Sequence, residues 1–132
     1  MIDDLLKDLN KIQQKAVLKT DGPILILAGA GSGKTRVLTH KVAYLIKEKQ
    51  IDPQSILCLT FTNKAGQEMR ERIRKLLSSN LEPRTSNLPF AGTFHSFCAR
   101  ILRKEGRNIK IPVNFLIYDE NDQLKIIKEA MK

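Results

Sequence analysis

Apolar residues along this chain follow two different periods, and the switches between them mark its elements. Leu9, Ile12, Ala16 and Val17 recur at helical spacing. Asn10 suits the N-cap of that helix, and Gln13, three residues on, can reach back to complete a capping box. Asp21-Gly22-Pro23 then breaks the chain. Ile24–Ala28 is a continuous apolar run, too short for a long helix and rich in branched residues, which predicts a buried strand. A glycine-dense turn follows, and helical spacing resumes at Arg36-Val37-Leu38. Leu38, Val42, Leu45 and Ile46 stripe a helix that should end near Gln50, with Lys41, Lys47, Glu48 and Lys49 outside the stripe. His40, on the same helix, reads as a surface residue.

Past the Asp52-Pro53 turn, Ser55–Phe61 predicts a second buried strand. Strand, helix and strand in succession imply a right-handed crossover and hence a parallel sheet. Thr62-Asn63-Lys64-Ala65 caps the next helix, whose buried side is Met69, Ile73, Leu76 and Leu77. Glu68–Arg72 and Glu71–Lys75 are spaced as favourable i,i+4 pairs. Ser78–Pro89 is polar, carries two prolines and reads as a surface loop. Phe90–Thr93 predicts a short third strand. Phe94, Phe97, Cys98, Ile101 and Leu102 stripe the helix after it, which Gly106 should end. Asn108–Tyr118 is irregular, and Asp119 can cap a last helix bearing Leu124, Ile127 and Met131. That helix meets no stop signal before Lys132, so the chain reads as cut. The pattern is α/β, a parallel sheet flanked by helices with a helical extension at its C-terminal end.

Composition adds a class and a partner. At 132 residues and 42% hydrophobic content the chain has room for one domain with a core. Its net charge is +9, and residues 64–110 carry +7 of that, with eleven Lys/Arg against four Glu. A basic middle suggests a polyanion partner, most simply nucleic acid; a solvated helix face is the competing explanation. Cys58 and Cys98 lie forty residues apart, and both read as buried thiols of a reducing cytosol. No charged-then-apolar leader opens the chain, and no apolar run is long enough to span a bilayer. A cytoplasmic protein without a membrane partner is the expectation.

The chemistry concentrates in Ala28-Gly29-Ala30-Gly31-Ser32-Gly33-Lys34-Thr35. A strand, a glycine turn, Lys-Thr and a helix in that order make a phosphate-binding loop. Glycines let backbone N–H groups converge on phosphate oxygens, and the helix N-terminus adds partial positive charge. Lys34 would reach the β- and γ-phosphates and the Thr35 hydroxyl would hold Mg²⁺. Ala28 stands where the pattern has its first glycine, so that position must adopt a conformation alanine tolerates.

Four stretches together resemble the UvrD/Rep/PcrA-like DNA helicases of superfamily 1. They are Leu9-Asn10-x-x-Gln13, Ala28–Arg36, Thr60-Phe61-Thr62-Asn63-Lys64-Ala65 with Glu68-Met69, and Gly92-Thr93-Phe94-His95-Ser96. Their order and spacing are similar to that family's Q motif and motifs I, Ia and Ib, and Tyr118-Asp119-Glu120-x-Asp122-Gln123 resembles the lead into its second subdomain. The resemblance implies a RecA-like P-loop NTPase domain in part. Residues 1–107 would be the N-terminal part of the ATP-binding motor domain, and residues 108–132 the start of a helical insertion subdomain. It implies ATP and Mg²⁺ as cofactors, with Gln13 reading the adenine edge and Arg36 lying against its face. It also implies single-stranded DNA and single-strand/duplex junctions as partners. Phe61, Thr62, Asn63 and Lys64 would follow one strand end, and Thr93, His95 and Ser96 the next. Phe94 reads as a core aromatic.

The same resemblance says what the 132 residues lack: the later acidic strand motif, and a second motor domain with its arginines. Such arginines supply roughly three to five powers of ten in related hydrolases. The expectation is a parent protein that is an ATP-dependent 3′–5′ helicase of DNA repair or replication, and an isolated chain that is inactive. A non-catalytic nucleotide- or DNA-binding fragment, the helicase part of a helicase–nuclease, and an unrelated phosphate-loop kinase are the rivals.

Overall fold

The computed structural model describes residues 2–78, 87–118 and 120–131. Most of the 78–89 loop and the Asp119 cap lie outside the described residues. Contacts divide the chain into two compact units, Met1–Phe94 and His95–Lys132.

The first unit opens with a short helix that the apolar spacing did not mark, α1 (Ile2–Leu6). It is followed by α2 (Lys11–Leu18), capped as expected by Asn10 with both halves of the capping box formed. Gln14 ties the two together, its Nε2 donating to the carbonyls of Leu6 and Leu9, each at 3.0 Å. The long α3 (Lys34–Lys47) packs against α1, α2 and, later in the chain, α4 (Asn63–Leu77). Lys41 on α3 donates through Nζ to the Ala16 carbonyl at 3.0 Å and to the Lys19 carbonyl, closing the C-terminal end of α2. Burial there pushes its amine below the ordinary lysine value.

Three-sided packing changes which residues of α3 are covered. Val37, Thr39, His40, Val42, Ala43 and Tyr44 are buried, whereas Leu38, expected on the inner stripe, is exposed. His40, expected at the surface, is 7% exposed, and its Nδ1 lies 2.7 Å from the Leu5 carbonyl. A stripe deduced from one apolar face misses a helix covered from several directions.

The sheet has two strands, β1 (Leu57–Thr60) and β2 (Phe90–Thr93), joined through α4. They pair in parallel, Leu57 opposite Phe90 and Thr60 opposite Thr93, so their carboxyl ends finish level. The parallel sheet agrees with expectation, but its first expected strand does not form. Residues 23–29 run without strand hydrogen bonding, and Leu25 and Leu27 are 82% and 85% exposed while Ile26 packs on the core. This is extended chain with one face covered. A strand also needs a neighbour to accept its N–H groups, and none pairs with it among the described residues.

Thr62 caps α4, its hydroxyl accepting from the Ala65 amide at 3.1 Å. Met69, Ile73 and Leu77 are buried, with Leu76 packed partly against the same core. Each such side chain contributes about 1.5–3 kcal/mol when fully buried, which makes this face the main anchor of α4. The helix approaches the sheet closely. A Cβ at Gly66 would lie 2.9 Å from the Gly92 Cα, and Arg70 Nη2 donates to the Ala91 carbonyl at 2.8 Å. The expected Glu68–Arg72 and Glu71–Lys75 ion pairs are not formed among the described residues.

The second unit holds most of α5 (Phe94–Glu105), a 3₁₀ turn at Gly106–Ile109, and α6 (Glu120–Ala130). Gly106 ends α5 as expected, and its carbonyl accepts from the Ile111 amide at 2.9 Å. The Arg103 guanidinium sits 5.5 Å from the centre of the Phe115 ring. The expected apolar stripe is not a core, since Ala99 is the one buried residue of α5 and α6 has none among the described residues. Phe94 and Cys98, both expected to be buried, are exposed, whereas Cys58 is buried as expected.

Candidate functional site

The glycine loop turns on three short-range features. Gly31 and Gly33 have φ of 74° and 85°, the left-handed region that side chains avoid, and Gly33 is the N-cap of α3. Ala28 is not among the residues of positive φ, which is how alanine is tolerated at the first position of the pattern. Ser32 folds back on the Gly29 carbonyl, its amide donating at 3.3 Å and its hydroxyl at 2.6 Å. The loop therefore curls ahead of the helix and delivers the first amides of α3, which have no partner within the helix, to one place.

Lys34 lies across this curl. Its Nζ donates to the carbonyls of Ala28 at 2.7 Å and Gly29 at 2.6 Å, so the ammonium is held over the mouth of the loop. Thr35 and Arg36 follow on the exposed first turn of α3. Arg36 Nη2 is 3.9 Å from Asp8 Oδ2, a loose pair between two solvent-exposed side chains.

Gln13 joins α2 to the loop. Its Oε1 accepts from the Asn10 amide at 3.1 Å, its own amide donates to Asn10 Oδ1 at 2.9 Å, and its Nε2 donates to the Ser32 carbonyl at 3.1 Å. Both ends of the side-chain amide are thus engaged, one in the helix cap and the other in the loop. A Cβ on Gly33 would come within 2.9 Å of that Nε2, so the absence of a side chain at Gly33 makes room for Gln13. The capping box was legible in the sequence; the bond to Ser32, nineteen residues away, was not.

These residues suit a nucleotide carrying Mg²⁺. Left-handed glycines, unpaired helix-start amides, a lysine over the loop and a threonine hydroxyl at the helix start are the donor set such a group requires. Among the described residues no three His, Cys, Asp or Glu gather to hold a metal.

The second set of expected contacts begins at the level ends of β1 and β2. Phe61, directly after β1, is 96% exposed, and Asn63 and Lys64 are exposed beside it. The Thr62 hydroxyl oxygen accepts in the helix cap, a role that does not use its proton. Thr93 closes β2 and is 7% exposed, while His95 and Ser96, in the first turn of α5, are exposed. An aromatic ring this open to solvent is not a core residue, and it stands beside an amide and an ammonium group.

The model of the UvrD/REP helicase N-terminal domain matches residues 9–132. The chain belongs to the UvrD/REP helicase family. Similar proteins include the ATP-dependent DNA helicase PcrA of Bacillus subtilis, 52% identical over 130 residues, which is 98% of this chain and 17% of that protein. PcrA of Staphylococcus aureus is 50% identical over 128 residues, 97% of this chain and 17% of that protein. A probable DNA helicase II homolog of Mycoplasma capricolum is 50% identical over 131 residues, 99% of this chain and 18% of that protein. This member of the UvrD/REP helicase family thus spans less than a fifth of the length of these relatives. Among the described residues it has no helix long and apolar enough to cross a membrane.

Proposed function

We propose that this chain is part of an ATP-driven motor that moves 3′ to 5′ along single-stranded DNA and opens duplex at single-strand/duplex junctions, in DNA repair or replication in the cytoplasm. Residues 1–107 are then the N-terminal part of a RecA-like motor domain, and residues 108–132 the start of a helical insertion subdomain. One juxtaposition carries the reading. A glycine loop opening α3 lies in the same unit as two parallel strands that end in register at Thr60 and Thr93. Clefts at the carboxyl ends of parallel strands are where ligands of such sheets bind.

In this reading the backbone of Ala28–Gly33 and the start of α3 receive the phosphates of ATP. Lys34 exchanges the Ala28 and Gly29 carbonyls for phosphate oxygens, and Thr35 holds Mg²⁺. Hydrolysis of the terminal phosphate supplies the free energy. Gln13 reads the adenine edge and Arg36 stacks on its face. Phe61, Thr62, Asn63, Lys64, Thr93, His95 and Ser96 grip the strand, by stacking for the rings and by polar contact to phosphate for the rest. A second motor domain supplies the arginines that complete the site, so the isolated chain hydrolyses ATP negligibly.

The test is DNA-stimulated ATP hydrolysis by the full-length protein. Stimulation by single-stranded DNA, abolished by Lys34→Ala, is expected. Equal rates with and without DNA overturn the motor, and a wild-type rate in Lys34→Ala removes the loop from the site. Substituting Lys64 and His95 should weaken single-strand binding and flatten its salt dependence.

A further inference from the structure

The helix that carries Gln13 is tied down at both ends. α2 has eight residues, too few to be stable alone, so its position comes from what holds it. At its N-terminal end Gln13 Nε2 reaches the Ser32 carbonyl. At its other end Lys41, from α3, supplies what the helix cannot. The last carbonyls of a helix find no amide within it, and Lys41 Nζ donates to that of Ala16, at 3.0 Å, and to that of Lys19. A cation there also complements the negative end of the helix dipole. Lys41 is half-buried and pairs with no carboxylate among the described residues, so these carbonyls are what hold it.

We propose that Lys41 is a positioning residue for base recognition: by fixing α2 on α3 it sets where the Gln13 amide meets the nucleotide. This role rests on the reading of Gln13 as the adenine contact. Ala16 follows Gln13 by three residues, a rise of about 4.5 Å along the same face, so a shift at the Lys41 contact is carried to Gln13 with little loss. Lys41 in turn stands seven residues after Lys34, about two turns along the helix that opens at the glycine loop. One helix therefore carries both the lysine of the loop and the residue that sets the glutamine. In the exchange of Ser32 for adenine, α2 gives up its tie to the loop. The Lys41 contacts, at the far end of α2, then keep the helix in place. A misplacement of about 1 Å costs about a hundredfold in a positioned reaction, so a small drift of α2 is enough to blur the choice of base. A lysine that only stabilised the fold would, when lost, lower the rates with every nucleotide alike.

The experiment measures kcat/KM for ATP and for GTP, with single-stranded DNA, in the full-length protein and in its Lys41→Met, Lys41→Arg, Gln13→Ala and Gln13→Ala/Lys41→Met variants. Methionine keeps the apolar stem and loses the donor, whereas arginine keeps the cation and its donors. Lys41→Gln, uncharged and one bond shorter, serves in place of methionine if that variant does not fold. The ATP/GTP ratio is taken within one preparation, so any misfolded fraction cancels. Lys41→Met is expected to lower the ratio by about fivefold, Lys41→Arg to keep it, and Lys41→Met to add nothing once Gln13 is alanine. An unchanged ratio in Lys41→Met, beside a collapsed one in Gln13→Ala, overturns the positioning role and leaves the adenine reading standing. An unchanged ratio in Gln13→Ala overturns both. Equal losses from Lys41→Met with and without the Gln13 side chain mean that Lys41 acts by another route, and the proposal fails.

Discussion

Gln13→Ala separates two roles that one side chain holds at once. The substitution removes the Oε1 acceptor of the Asn10 amide and the Nε2 donor to Ser32. Hydrogen bonds of this kind contribute about 0.5–1.5 kcal/mol each, and caps about 1 kcal/mol, so unfolding free energy should fall by about 1–2 kcal/mol. Urea denaturation followed by circular dichroism reads that loss. The effect on nucleotide is different in kind. To read adenine, Gln13 must release Asn10 and Ser32 and make two bonds to the base, an exchange of two for two that is nearly neutral in free energy. Total ATP affinity therefore changes little, and discrimination changes much. A bidentate amide is worth about 1–3 kcal/mol against the wrong base, roughly five- to 150-fold. The ratio of kcat/KM for ATP over GTP, measured on the DNA-stimulated full-length protein, should collapse toward unity in Gln13→Ala. An unchanged ratio accompanied by the expected loss of stability would leave Gln13 a cap and loop brace with no part in base reading.

Gly33→Ala forces alanine to φ near 85° and pushes a Cβ against Gln13 Nε2, so it should cost about 1–2 kcal/mol in unfolding free energy; nucleotide binding should fall with it, and a neutral outcome by denaturation and calorimetry would refute the left-handed cap. His40→Leu leaves the Leu5 carbonyl without its partner and should destabilise the chain by about 1–3 kcal/mol in urea, whereas a surface histidine would tolerate the change. Iodoacetamide should modify exposed Cys98 in the native chain and reach Cys58 only on unfolding. Burial pushes the Cys58 thiol above its ordinary value, so the folded state keeps a proton that the unfolded state loses first. Its contribution is whole below the unfolded thiol value of about 8.5 and declines as pH rises from there toward the folded one; Cys58→Ala should remove that alkaline slope from the stability profile.

What the sequence disclosed follows the range of the interactions involved. The Asn10–Gln13 box and the Thr62 cap need only residues three apart, and both were legible. Lys34 and the glycines were legible for the same reason, being a contiguous motif. His40 was not, because its burial comes from Leu5, thirty-five residues earlier, in a helix too short for periodicity to mark. Ile24–Ala28 had the composition of a strand, yet composition supplies no partner. The expected Glu–Arg and Glu–Lys pairs of α4 had the right spacing, but spacing only permits contact and rotamer freedom in water opposes it. Arg72 and Lys75 consequently looked partly neutralised in the sequence, and neither pairs with a carboxylate among the described residues.

The extended Ile24–Leu27 segment has a consequence for handling the protein. Its backbone joins no strand ladder among the described residues and two of its leucines face solvent, which is the profile of an adhesive edge. A charge on such a segment blunts it. The same few residues that lead into the glycine loop are therefore those where a single lysine at position 25 should most improve the yield of soluble material.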